Sequence, residues 1–385
     1  MKKISLLVIT FVISLNVFAN PIVTPNAPEI GAKGYLLIDF NSGKALAENN
    51  SEKRLAPASL TKMMTSYIIG QELKSGNLSP TDKVMISEKA WSKNFPESSK
   101  MFIEVGKEVS VADLNRGIII QSGNDACVAM AEHIAGSESA FADLMNSWAA
   151  QLGMDNTRFE NSHGLQAKNH YTTPHDMAIL ATALIKDVPD EYHLYSEKSF
   201  KFNGIDQPNR NSLLWDKSLN VDGIKTGHTS EAGYSLVSSA TKDGMRLISV
   251  VMGTNSNSSR LTESKKLLNW GFRFFETLTP YNAGDQLANE RIWMGAQPMI
   301  RLGVKNDTPI TLSRGQAKNL NATFIIKNEL RAPLQQGDVV GKVHYSVADQ
   351  EVATYDLITL ETVEEGGLFS RLIDYIKLLF IGWFA

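Results

Sequence analysis

The chain has 385 residues, more than one hydrophobic core usually serves, so two domains are expected. Apolar residues make up 43% and charged residues 21%, with 38 basic against 41 acidic side chains and a formal charge of −3, which excludes a disordered chain and gives no basic surplus for nucleic acid. Cys127 is the single cysteine, so an internal disulfide is excluded too.

Met1-Lys2-Lys3 precedes an apolar run from Ile4 to Phe18, closed by Val17-Phe18-Ala19 at the position a signal peptidase reads. Residues 1–19 therefore read as a cleaved export signal, short for a bilayer span. Losing Lys2 and Lys3 would take the charge from −3 to −5.

Gly34 to Asp39 reads as a strand, Asn41-Ser42-Gly43 as a turn, and Lys44 to Glu48 as the returning arm of a hairpin. Ala56-Pro57-Ala58-Ser59 then leads into a helix in which Met63, Met64, Tyr67 and Ile68 recur at helical spacing. Beyond Lys62 that stretch carries no charge, as expected of a helix inside a domain. A helical pattern runs from about Val111 to Lys186, clearest at Phe141, Leu144, Met145, Trp148 and Leu152. Thr173-Pro174-His175-Asp176 has the cap, proline and acid of a helix start. Cys127 falls in an apolar helical stretch, where a thiol behaves as a small hydrophobe; its closeness to a candidate catalytic motif keeps a reactive thiol open.

Strands are expected at Tyr234 to Ala240 and Arg246 to Met252, around a tight turn at Lys242 to Met245, followed by a helix from Leu261 to Phe275. Strands at both ends with helices between them predict a mixed α/β (α+β) domain over residues 27–279, an antiparallel sheet packed on a helical cluster. Alternation at Asp338 to Val347 and Val352 to Leu360 predicts a small all-β domain over 280–363. Residues 364–385 form a linker and an amphipathic helix. Its charges Arg371, Asp374 and Lys377 share one stripe among apolar and aromatic residues, which suits a membrane surface; docking against the protein is the alternative.

Ser59-Leu60-Thr61-Lys62 sets a hydroxyl and an amine three residues apart, on one helix face. A buried lysine with a depressed pKa can take a serine proton, and the helix start offers unpaired N–H groups to an oxyanion. Such a pair is common by chance. Two further motifs give it meaning: Ser122-Gly123-Asn124 at a junction of two helices, and Lys225-Thr226-Gly227 ahead of the returning strand. Ser122 can relay a proton to a leaving amine, Asn124 can hold Lys62 and a substrate carbonyl, and Lys225 with Thr226 can bind a carboxylate.

These motifs resemble those of the penicilloyl serine transferases. Over nearly the whole chain the sequence is similar to the low-molecular-mass penicillin-binding proteins, the penicillin-binding protein 5 group. The stretches that carry the likeness include Gln121 to Cys127, Asn220 to His228 and Ile373 to Lys377. The resemblance implies a serine D-alanyl-D-alanine carboxypeptidase that trims peptidoglycan pentapeptides through a Ser59 acyl-enzyme and is acylated by β-lactams. It also implies no cofactor or metal, and a place on the periplasmic face of the inner membrane. It further implies the N–H groups of Ser59 and His228 as oxyanion hole, Arg210 beside the substrate carboxylate, Gly227 among the substrate-binding residues, and His163-Gly164-Leu165 on the cleft border. A β-lactamase, with Glu160-Asn161 as its superficial signal, and a non-catalytic cell-wall scaffold are the competing readings. Trp91 to Met101, a slightly shortened stretch near the cleft rim, bears on substrate preference and deacylation.

Overall fold

The computed structural model describes residues 24–384 except residue 328, so the expected export signal lies outside the described residues. The first sheet has five antiparallel strands: β1 (Gly34–Asp39), β2 (Ala45–Asn49), β3 (Asn220–Thr229), β4 (Gly233–Lys242) and β5 (Met245–Thr254), in the order β2-β1-β5-β4-β3. Asp243 and Gly244, at φ 51° and 80°, make the two-residue turn that joins β4 to β5, with Lys242 opposite Met245. Chain start and chain end of the domain meet where Leu36 pairs with Val250.

Both faces of this sheet are covered, which is why β5 is apolar almost throughout. Leu36, Ile248 and Val250 pack on α1 (Lys62–Ser75) and its neighbours through Met63, Met64 and Tyr67. Leu37, Leu247 and Val251 point the other way, onto Leu267, Leu268 and Phe272. The helical cluster also contains α2 (Val111–Arg116), α3 (Asn124–Ala135), α4 (Glu138–Leu152) and α5 (Pro174–Asp187). Every residue of α1 from Lys62 to Gly70 is buried, the environment of a central helix. Thr173 caps α5, its Oγ1 accepting from Asp176 N–H at 3.0 Å.

Two expectations need correction. The helical pattern does not run unbroken to Lys186, because Gly153 (φ 79°) ends α4 and the chain stays irregular to Thr173. The closing helix α6 spans Asn257–Phe274, starting four residues before Leu261 because Ser256 caps it by accepting from Ser259 N–H.

The second sheet has six strands in the order Leu320–Ile326, Val339–Val347, Gln350–Thr359, Met299–Gly303, Gln286–Trp293 and Leu330–Arg331, over a core that includes Ile292, Leu302, Val343, Tyr345 and Leu357. Phe275–Leu278 leaves α6 and pairs with Ile310–Ser313, tying the two parts together. The last helix, α7 (Leu368–Phe384), meets this β region through Asp374, whose carboxylate accepts from Arg291 Nη2 (3.0 Å) and Met294 N–H (2.9 Å). The docking alternative therefore applies to Asp374. Leu368, Phe369, Leu372, Ile373, Ile376 and Phe380 stay exposed. Among the described residues no helix is long and apolar enough to cross a membrane.

Candidate active site

Ser59 stands in a 3₁₀ turn, Ala58–Thr61, that runs straight into α1 at Lys62. The serine and lysine thus straddle a junction rather than sharing regular helix, and they still meet: Lys62 Nζ lies 3.1 Å from Ser59 Oγ. The same nitrogen donates to Asn124 Oδ1 at 2.7 Å and to the His163 carbonyl at 2.6 Å. Lys62 is fully buried, and burial, reinforced by the Arg210 charge and opposed by Cys127 and Asp125, brings its pKa down to about 8. A neutral amine can be reached near physiological pH, and Ser59 then has an acceptor for its proton.

Ser122 follows a single π-type turn, Gly117–Gln121, and takes the left-handed conformation at φ 66° before α3 begins at Asn124. That kink aims Oγ at Lys225 Nζ, 3.0 Å away. Lys225 is also buried, and its pKa is pushed well below the usual lysine value by burial first and by the charge of Lys62 second. Two serine–lysine pairs, Ser59 with Lys62 and Ser122 with Lys225, therefore face one cleft.

Lys225, Thr226, Gly227 and His228 lie inside β3, not ahead of the returning strand as the sequence pattern suggested; strand structure begins at Asn220, well before Tyr234. As the edge strand, β3 leaves alternate N–H and C=O groups unpaired by β4. Gly227 permits the approach of β3 to the nucleophile turn, since a Cβ there would sit 2.9 Å from the Pro57 carbonyl oxygen. The His228 ring is exposed and stacks on Tyr234 at 3.9 Å between centroids. Arg210 lines the cleft with Nε donating to the Gln121 carbonyl at 2.9 Å.

The cleft holds about 650 Å³. Lys100, Arg210 and Arg260 line it against one carboxylate, Glu97, giving a field suited to an anionic substrate end. Arg260 was missed by sequence reasoning. It reaches from α6 to donate to the Gly227 carbonyl at 3.1 Å, and nothing in Ser258-Ser259-Arg260 marks it. Asp125 was missed also: its carboxylate accepts from the N–H groups of Met101 (2.7 Å), Phe102 (2.9 Å) and Ile103 (3.3 Å), pinning the rim loop to α3. Asn124 reinforces that loop, with Nδ2 donating to Ser98 Oγ at 2.9 Å and N–H to the Ser99 carbonyl at 2.9 Å. Cys127 is buried, its thiol pushed up to about 12 by burial, and so is no nucleophile at neutral pH. Glu160 is held at the surface by Arg158 Nε at 2.8 Å.

Residues 22–256 match the family described as D-alanyl-D-alanine carboxypeptidase, and residues 275–365 match the penicillin-binding protein 5 C-terminal domain. A D-alanyl-D-alanine carboxypeptidase of Escherichia coli is 52% identical over 365 residues, covering 94% of this chain and 91% of that protein. The crystal structure of penicillin-binding protein 5 from Haemophilus influenzae superposes with a TM-score of 0.87 at 50% identity, over 89% of this chain and all of that one. An ampicillin-bound penicillin-binding protein of Listeria monocytogenes, 29% identical, aligns with a TM-score of 0.57 over 64% of this chain and 99% of its own.

Proposed function

The chain belongs to the D-alanyl-D-alanine carboxypeptidase family, and on that premise we propose that it removes the terminal D-alanine of peptidoglycan stem pentapeptides through an acyl-enzyme on Ser59. The carboxypeptidase activity goes with the family and its near relatives; the serine mechanism is our reading of the cleft. The observation that carries it is the contact of 3.1 Å between Ser59 Oγ and a buried Lys62 Nζ.

Ser59 Oγ attacks the carbonyl carbon between the two terminal D-alanines as its proton passes to Lys62. The backbone N–H groups of Ser59 and His228 receive the oxyanion. As the C–N bond breaks, Ser122 delivers its hydroxyl proton to the leaving amine and is reprotonated by Lys225, which takes up through the solvent of the cleft the proton that Lys62 gives back, so that Lys62 is neutral again. Water then attacks the ester with Lys62 again as base, releasing the tetrapeptide and restoring Ser59. Lys225, Thr226 and Arg210 hold the terminal carboxylate, and Asn124 a substrate carbonyl. β-Lactams fit because a strained amide sits beside a carboxylate, and the ring-opened product stays tethered in the cleft. Glu160, the carboxylate of the β-lactamase reading, is paired to Arg158 at the surface, so the adduct should persist.

Brief exposure to benzylpenicillin followed by peptide mass mapping is expected to find one penicilloyl group, on Ser59, and none in Ser59→Ala, which should also release no D-alanine from a diacetylated Lys-D-Ala-D-Ala peptide. An adduct elsewhere, or D-alanine release by Ser59→Ala, would overturn the mechanism.

We place the protein, after export, on the periplasmic face of the inner membrane, held by α7 while the region over residues 280–363 spaces the cleft from the lipid. Support comes from the exposed apolar residues of α7, whose Asp374 carboxylate meets Arg291 and Met294 N–H while those residues stay uncovered. A chain ending at Gly367 is expected to stop sedimenting with vesicles of mixed neutral and anionic lipid while keeping its activity on soluble peptide. Undiminished sedimentation would move the anchor elsewhere.

A further inference from the structure

Glu138 is the first residue of α4, yet its carboxylate gathers a neighbouring loop. Oε1 accepts from Ser162 Oγ at 2.9 Å and Ser162 N–H at 3.3 Å, and lies 3.3 Å from His163 Nε2. Oε2 is 3.4 Å from Lys89 Nζ. His163 Nδ1 accepts from Leu165 N–H at 3.1 Å, so the proton of the neutral ring sits on Nε2 and points at Glu138. The edge of the same ring packs on Phe95 of the rim loop, centroids 5.8 Å apart. The Ser162 carbonyl accepts from Thr65 Oγ1 at 2.6 Å, and the next carbonyl, that of His163, accepts from Lys62 Nζ at 2.6 Å. Glu138 thus holds the backbone that supplies one of the three acceptors around the candidate base.

We propose that Glu138 is a positioning residue for Lys62, acting through Ser162 and His163. The proposal rests on the reading of Lys62 as the base. The other groups facing Lys62 are Asp125 and Cys127 from α3, Lys225 from β3, Arg210 from the segment before β3, and His170 from the irregular 153–173 segment. Glu138 itself faces His163 and Lys89. None of the other groups touches the 162–163 backbone as Glu138 does. Releasing that backbone removes an acceptor that favours the ammonium form and lets Nζ drift from Ser59. The neutral amine then forms at lower pH but in poorer geometry.

Glu138→Ala is expected to lower the maximal acylation rate by a chromogenic β-lactam about 10-fold and to shift the acid limb of the pH–rate profile to lower pH. Glu138→Gln keeps an acceptor for Ser162 and His163 and should stay within about twofold of the parent. Glu138→Asp, a good first-turn residue with a shorter reach, should fold normally and move the profile the same way by less. An unmoved acid limb in both Glu138→Ala and Glu138→Asp, or a Glu138→Gln enzyme as impaired as Glu138→Ala, would overturn the proposal. A Lys62→Ala enzyme that acylates at the parental rate would instead overturn the base assignment beneath it.

Discussion

Lys62→Ala is expected to slow acylation of Ser59 by roughly 10³- to 10⁴-fold, the range over which a general base and its dependent nucleophile act together. The group removed is the only amine within hydrogen-bond reach of Ser59 Oγ among the described contacts. Lys225, the second buried lysine, is committed to Ser122 and to the Thr226 carbonyl. Truncation leaves Asn124 Oδ1 and the His163 carbonyl without their donor, a penalty of about 1–3 kcal/mol if both stay dry. The cleft next to them can admit water, so the loss of stability should sit at the low end while the loss of rate keeps its size.

The same lysine sets a pH signature. A base must be neutral to accept a proton, so acylation should climb as pH rises through about 8, the value to which burial brings Lys62. At pH 7 about one molecule in ten would hold the neutral amine. Stopped-flow acylation of the parent protein between pH 6 and 9.5 should show this limb. Its absence from the residual activity of Lys62→Ala would assign it, whereas an identical limb in the variant would give it to another group.

Ser59, Lys62, Ser122, Asn124, Lys225 and Thr226 could be read from sequence because each sits in a short motif whose internal spacing survives folding. A Ser-x-x-Lys pair meets in a helix or across a 3₁₀-to-α junction alike, so the misplaced helix start did no harm. Strand β3 was harder. Gly223 to Gly227 are buried without a break, so the ten-residue edge strand gave no period-two signal. Arg260, Asp125 and Glu138 act on partners 33, 24 and 24 residues away, and no local pattern encodes such pairings. The irregular segment after Gly153 still carries apolar residues such as Met154 and Phe159, both buried, which is why it passed for helix. In α7 the three charges share a stripe, yet Asp374 alone meets both an arginine and a backbone N–H, a distinction only the neighbouring β region makes.

Gly164→Ala should damage acylation by a route different from that of a catalytic substitution. Gly164 has φ 90°, and a Cβ there would fall 1.9 Å from the Ala58 carbonyl oxygen and 2.5 Å from its carbon. Those are backbone atoms of the residue before the nucleophile, so no rotamer change can relieve the overlap. Ala58 is itself held at φ 49°, while Gly164 N–H donates to Asn161 Oδ1 at 2.7 Å, so neither chain is free to step aside. Either the Ser59 turn moves or the loop withdraws, taking the His163 carbonyl away from Lys62. The conformational strain alone costs about 1–2 kcal/mol, and a displacement near 1 Å at the reacting atoms is worth about 10²-fold in rate. Gly76→Ala is the control, because Gly76 ends α1 at φ 78° with no atom within 4 Å of the added carbon. It should carry a similar strain, seen as a few degrees of Tm, and acylate at the parental rate. Measured together by thermal unfolding and β-lactam acylation, the two alanines should separate in rate far more than in stability. Parental acylation by a folded Gly164→Ala would mean that the approach of the 164 backbone to Ala58 does not hold the nucleophile in place.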